Sequence, residues 1–164
     1  MQDAADEYPD IHWPAGFTPD DADCHSRART VVDASAARVF DLLVTAEDWP
    51  SWIPGLTDVR FSSPCSGTLQ RHCSLEFRLA GRHRFEILVG EIVTHRRLGL
   101  SGIASGLQFY QAWLLTPSEG QTLIESELVA RGTTAKVIQE APPAWASRLN
   151  TRLPARLKAR VEAD

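Results

Sequence analysis

Apolar and polar positions change period along this chain, and the changes divide it into elements. From Ser26 to Asp33, Ala28, Thr30 and Val32 alternate with Arg27 and Arg29, the period of two that marks a half-buried strand ending near Ala34. Ser35 is a good N-cap. Ala36, Val39, Phe40 and Leu43 then recur at helical spacing, with Arg38 and Asp41 on the opposite side. Thr45, followed three residues later by Asp48, opens a second short helix that Pro50 and Pro54 confine. After Gly55 come six stretches rich in β-branched and aromatic residues: Thr57 to Ser62, Thr68 to Leu79, His83 to Thr94, Leu98 to Ala104, Leu107 to Thr116 and Thr122 to Arg131. The links between them are short, so consecutive strands must pair antiparallel as a meander. The closing stretch places Trp145, Leu149, Leu153, Leu157 and Val161 four residues apart. This predicts a long amphipathic helix, delayed by Pro142-Pro143 and kinked or split at Pro154.

Residues 1–24 follow neither period. They hold Pro9, Pro14, Gly16 and Pro19 among seven acids, with no Lys or Arg, and carry Tyr8, Trp13 and Phe17. The aromatics argue for an extended leader lying along the surface rather than a solvated tail. The chain thus divides into an acidic leader, 1–24, and one domain, 25–164. At 164 residues it is long enough to bury its own core. The net charge of −4 conceals a mildly basic domain behind the leader, with charge too scattered for a nucleic-acid partner. No apolar run approaches the roughly 18 residues of a membrane span. Cys24, Cys65 and Cys73 are odd in number and form no CxxC pair, which predicts reduced thiols. Together with an N-terminus unlike a secretory signal, this predicts a cytoplasmic protein.

Strand, two short helices, six strands and a terminal helix make an α+β fold of the helix-grip type. The text resembles the START/Bet v1-like (SRPBCC) superfamily, in particular its polyketide cyclase/dehydrase-like branch. The residues carrying the likeness run from Val32 to Leu43, from Trp49 through Trp52 to Gly55, from Tyr110 to Pro117, and from Gly120 to Glu127. The resemblance implies a curved sheet of about seven strands around the terminal helix, with an apolar cavity between them and no cofactor. Relatives carry lipids, hormones or pigments, or cyclise polyketides, so the fold does not name the reaction.

Alternation puts Phe109, Gln111, Trp113 and Leu115 on one face of their strand, dense enough in apolar groups to be the cavity side. Phe77 shares the apolar face of its own strand, Trp49 and Trp52 can close the mouth, and Leu153 and Leu157 supply the wall from the terminal helix. Periodicity leaves open which face of 122–131 points inward, and the family pattern favours Glu127. A carboxylate facing that cavity would act as general acid or base, beside Gln111 as an orienting amide. The alternative for Glu127 is an ion pair with an arginine of a neighbouring strand. His72 and Glu76 share a strand face and form a weaker acid–base pair, and no histidines stand at metal spacing. Arg148, Arg152, Arg156 and Arg160 form a stripe that suits the acidic leader first, or an acidic carrier protein. The functional expectation is a small hydrophobic ligand, held by an enzyme of the polyketide cyclase kind. A non-catalytic carrier or sensor is the alternative, and a co-chaperone-like module a third reading.

Overall fold

The computed structural model describes residues 11–62, 64–142 and 152–163. Seven antiparallel strands form one curved sheet: β1 (Cys24–Val32), β2 (Leu56–Phe61), β3 (Ser74–Leu79), β4 (His83–Val93), β5 (Arg97–Ala104), β6 (Leu107–Ser118) and β7 (Gln121–Arg131). Strands β2 to β7 are spatial neighbours in chain order, and β1 closes the sheet beside β7. The expected meander and the helix-grip architecture are both present. Helix α1 (Ala36–Val44) follows β1 with Ser35 accepting from the Arg38 N–H, and a 3-10 helix (Ala46–Ser51) follows it. The β6–β7 turn is tight because Ser118 pairs with Gln121, leaving only Glu119 and Gly120, both at positive φ, as the twist of a two-residue hairpin requires.

The C-terminal region is more divided than its sequence suggests. Gly132 ends β7 and starts α2 (Thr133–Glu140), a helix the apolar spacing did not reveal because only Ala135 is fully buried. Tertiary bonds hold it: the Thr134 hydroxyl donates to the Ser105 carbonyl at 2.8 Å and the Thr134 N–H to the Gly106 carbonyl at 2.9 Å. The last helix, α3 (Leu153–Glu162), buries Leu153, Pro154, Leu157 and Val161. Pro154 stands in its first turn, where no N–H is needed, so the proline starts a helix rather than kinking one. Trp145, Leu149 and Arg148 lie outside the described residues. Lys158 donates to the Val31 carbonyl and Arg38 to the Val161 carbonyl, fixing α3 across β1 and α1.

Residues 11–23 of the leader cross the other side of the sheet. Nδ1 of His12 and Oε2 of Glu91 are 2.8 Å apart, Trp13 packs edge-on against Tyr110, and Arg131 donates to the Gly16 carbonyl while covering the Phe17 ring. Residues 11–23 therefore lie along the surface as expected, but on the convex face. The expected pairing of the leader with the arginine stripe is not made by these residues, since α3 packs against the concave side. Arg152 and Arg156 are exposed.

Tyr110 faces away from Trp113, as alternation requires, yet it is buried. Glycines make the room: a Cβ on Gly99 would stand 1.9 Å from the Tyr110 hydroxyl, and Gly90 lies beside the same ring. Burial, then the Glu91 carboxylate, push the Tyr110 phenol up from its ordinary value of 10.0 to about 12, with Arg97 opposing. The fold favours the neutral phenol, so its contribution is complete below pH 10.0 and is lost as pH rises through about 12. In a Tyr8→Phe background, phenolate absorbance should rise near pH 12 in the folded protein but near pH 10 in urea. Coincident titrations would contradict this placement.

One expectation fails outright. Cys65 and Cys73 form a disulfide with Cα atoms 5.8 Å apart, and Cys24 is the free, buried thiol. Residues 68–73, read from sequence as the start of β3, instead form a loop whose Leu69 N–H donates to the Val44 carbonyl at 2.7 Å. That return brings two cysteines together which spacing alone did not pair, and the cytoplasmic expectation loses the support it drew from reduced thiols. Among the described residues, no helix is long and apolar enough to cross a membrane.

Candidate functional site

A cavity of about 330 Å³ lies between the concave face of the sheet and the helices. Each wall follows from strand or helix period. Strand β6 turns Phe109, Gln111 and Trp113 inward, β3 contributes Phe77, the segment after α1 contributes Trp49 and Trp52, and α3 contributes Leu153. These seven residues stand where the sequence placed them. Leu115 and Leu157 do not line the cavity, although both are buried: they belong to the packed core beyond it.

Aromatic rings brace the wall against one another. Phe77 and Phe85 stack at 5.2 Å between centroids, Phe85 meets Phe109 edge-on at 6.0 Å, and Trp49 meets Phe77 edge-on at 6.1 Å. Each ring limits the rotamers of the next, so the cavity is shaped before anything enters it. The polar groups are few. Gln111 donates from Nε2 to the Ser126 hydroxyl at 3.3 Å, which fixes the amide in its plane. Trp49 donates its indole N–H to the Leu43 carbonyl at 3.0 Å. The corresponding N–H of Trp52, also buried, has no acceptor among the described residues. Burial raises the Cys24 thiol, which also lines the cavity, above its ordinary value, so that group is held neutral.

Glu127 does not reach this space. Register pairs Glu127 with Arg27 and Ser126 with Ala28, and the inward face of β7 is the one carrying Thr122, Ile124, Ser126 and Ala130. On the convex side the Glu127 carboxylate lies 2.8 Å from Nε2 of His25 and 3.4 Å from Nε of Arg27. The inward placement favoured by the family pattern is thus corrected, and the ion pair with a neighbouring strand is what the chain forms. His25 borders the cavity, but its bond to Glu127 draws the ring to the convex side. His72 and Glu76 are not brought together either: His72 is an exposed turn residue at φ 68°, and Glu76 accepts from Arg84. Among the described residues no cluster of His, Cys, Asp or Glu could hold a metal ion.

Among the lining residues that the sequence did not single out are Cys24 and Ser26 of β1, and Ile138 and Gln139 of α2. The first two were legible, since they share a face with Ala28, Thr30 and Val32. The α2 pair was not, because that helix owes its existence to contacts with the β5–β6 turn.

The crystal structure of a hypothetical protein from Helicobacter pylori is similar, with 21% identity and a TM-score of 0.82, over 94% of this chain and 97% of that one. A START superfamily protein from Mycobacterium smegmatis matches at 16% identity and a TM-score of 0.65, over 85% and 97% of the two chains. A point mutant of norcoclaurine synthase from Thalictrum flavum, solved with a transition-state analogue, matches at 13% identity and a TM-score of 0.65, over 85% and 94%. At these identities the likeness establishes the fold. No curated protein matches the chain by sequence. Residues 23–162 match the family described as polyketide cyclase / dehydrase and lipid transport, which takes in the whole sheet and α3, and the chain belongs to that family.

Proposed function

We propose that this protein binds one small, largely apolar molecule in the cavity and acts as its carrier or sensor. The aromatic-walled cavity of about 330 Å³ carries the reading, because its size and apolar lining with a few convergent polar groups are those of small-ligand sites. Gln111, held by Ser126, would orient a carbonyl or hydroxyl of the ligand. The family name includes cyclase and dehydrase chemistry, and confinement within this wall would favour folding of a flexible chain. The carrier reading is preferred because neither carboxylate with a proposed acid–base role serves the cavity: Glu127 is engaged by His25 and Arg27 on the far side of the sheet, and Glu76 by Arg84.

Native mass spectrometry of protein purified gently from its host should reveal a co-purifying small molecule released on denaturation. With that molecule in hand, Glu127→Gln should leave its affinity within about twofold, since a partly exposed ion pair on another face contributes under about 1 kcal/mol even to stability. Gln111→Leu should weaken binding by about tenfold, the loss of one buried hydrogen bond. A large loss of affinity in Glu127→Gln with none in Gln111→Leu would place the ligand elsewhere.

A further inference from the structure

The Cys65–Cys73 disulfide clamps a loop that backs one wall of the cavity. That wall is the end of α1 and the segment after it, from which Leu43, Trp49, Trp52 and Ile53 line the space. The Leu43 carbonyl also receives the Trp49 indole N–H at 3.0 Å, which fixes that ring. The next residue, Val44, gives its carbonyl to the clamped loop, accepting from the Leu69 N–H at 2.7 Å. Leu69 is buried in the core, and Gly67 stands beside the Glu47 carboxylate, so the loop seats on α1 and on the 3-10 helix together. Little besides Leu69 keeps it there. Ser66, Thr68, Gln70, Arg71 and His72 are exposed, and His72 holds φ 68°, a left-handed conformation that costs a non-glycine residue. The disulfide can be reached from outside, since Cys65 is half-buried, whereas Cys73 is 1% exposed. Cys24, the remaining thiol, is buried and held neutral by that burial, which makes it a poor nucleophile for exchange with the pair.

We infer that Cys65–Cys73 is a redox switch for the cavity: resting on the reading that the cavity holds a ligand, opening of this disulfide by a dithiol reductant loosens the protein's hold on it. A thiolate of the reductant attacks Sγ of Cys65, the S–S bond breaks, and its electron pair leaves on Sγ of Cys73, which takes up a proton. The reductant's second thiol then closes its own disulfide and releases Cys65 as a thiol. Two electrons and two protons have passed to the protein. Without its clamp the loop comes off Val44, and the Leu43 carbonyl that fixes Trp49 loses the support behind it. Reoxidation restores the wall.

Dithiothreitol and the apolar fluorescent probe N-phenyl-1-naphthylamine test this on the wild-type chain. Treatment of the folded protein should raise the free thiols from one to three, and the probe should then bind about tenfold more weakly, the worth of the one buried hydrogen bond that release of Leu69 breaks. In NMR spectra without any probe, the Leu69 amide and Trp49 indole protons should exchange with solvent about tenfold faster in the reduced protein, by the same loss. Cys65→Ser should show the reduced affinity and ignore dithiothreitol, which separates the switch from a direct effect of the reagent; the wild-type comparison does not depend on that variant folding. Equal probe affinity in the two states would overturn the switch and leave the ligand-binding reading standing. Unchanged exchange of the two protons, or a disulfide that dithiothreitol does not open in the folded protein, would overturn it as well. Absence of probe binding in both states would sink the cavity reading together with this one.

Discussion

Replacing Gly132 by alanine should destabilise the protein by about 3 kcal/mol, several times the effect of an ordinary surface substitution. Gly132 sits at φ 113° and ψ 177°, a backbone region that essentially only glycine occupies. A Cβ there would lie 2.4 Å from the Gly106 carbonyl oxygen and 3.1 Å from its carbon, which are main-chain atoms of the β5–β6 turn and cannot rotate away. The same residue donates its N–H to the Asp23 carboxylate at 2.8 Å and begins α2, which supplies Ile138 and Gln139 to the cavity wall. One methyl group would thus press on β6, the end of the leader and the cavity together. Gly120→Ala is the control: its φ is 83°, but a Cβ there meets nothing within 4 Å. It should cost about 1 kcal/mol, the left-handed backbone penalty alone. Urea unfolding of the two variants decides the matter. Equal losses would mean that backbone conformation, and not the approach of Gly106, is what requires glycine at 132.

Phe85→Ala should lower unfolding stability by about 3–5 kcal/mol. The ring is fully buried, stacks on Phe77 and meets Phe109 edge-on, so its removal deletes both the transfer energy of the side chain and the support of two cavity-lining rings. The space left behind adjoins the cavity lined by those two rings. The variant should accordingly bind bulkier apolar probes that the wild type rejects, provided it is assayed well below its melting temperature. Leu88→Ala, on the same strand but 49% exposed on the convex face, should change stability by no more than about 0.5 kcal/mol. If Phe85→Ala behaves like Leu88→Ala, the aromatic belt is not what holds the cavity open.

Much of this architecture is local in origin and therefore legible in the residues themselves. Period-two alternation through Phe109, Gln111 and Trp113 makes one face of β6 aromatic wherever that strand is placed, and Ser35 caps α1 through contacts three residues away. Burying those faces against one another leaves few arrangements of a meander and an amphipathic helix, which is why the fold and seven of the cavity-lining residues are legible in the sequence. What required the tertiary structure is whatever depends on distant partners. Alternation divides Glu127 from Ser126, but only the register of β7 against β1 and β6 tells which is inside, because both faces of β7 mix polar with apolar residues. A one-sided strand declares its core face and a two-sided one does not. Cys65 and Cys73 meet through the return of residues 68–73 onto α1, and α2 forms on bonds to residues about thirty positions earlier. Short-range spacing carries no signal of either. Sequence by itself determined the shell and most of its aromatic lining; long-range packing decided which polar groups face the cavity, moving Glu127 out and leaving Gln111 within.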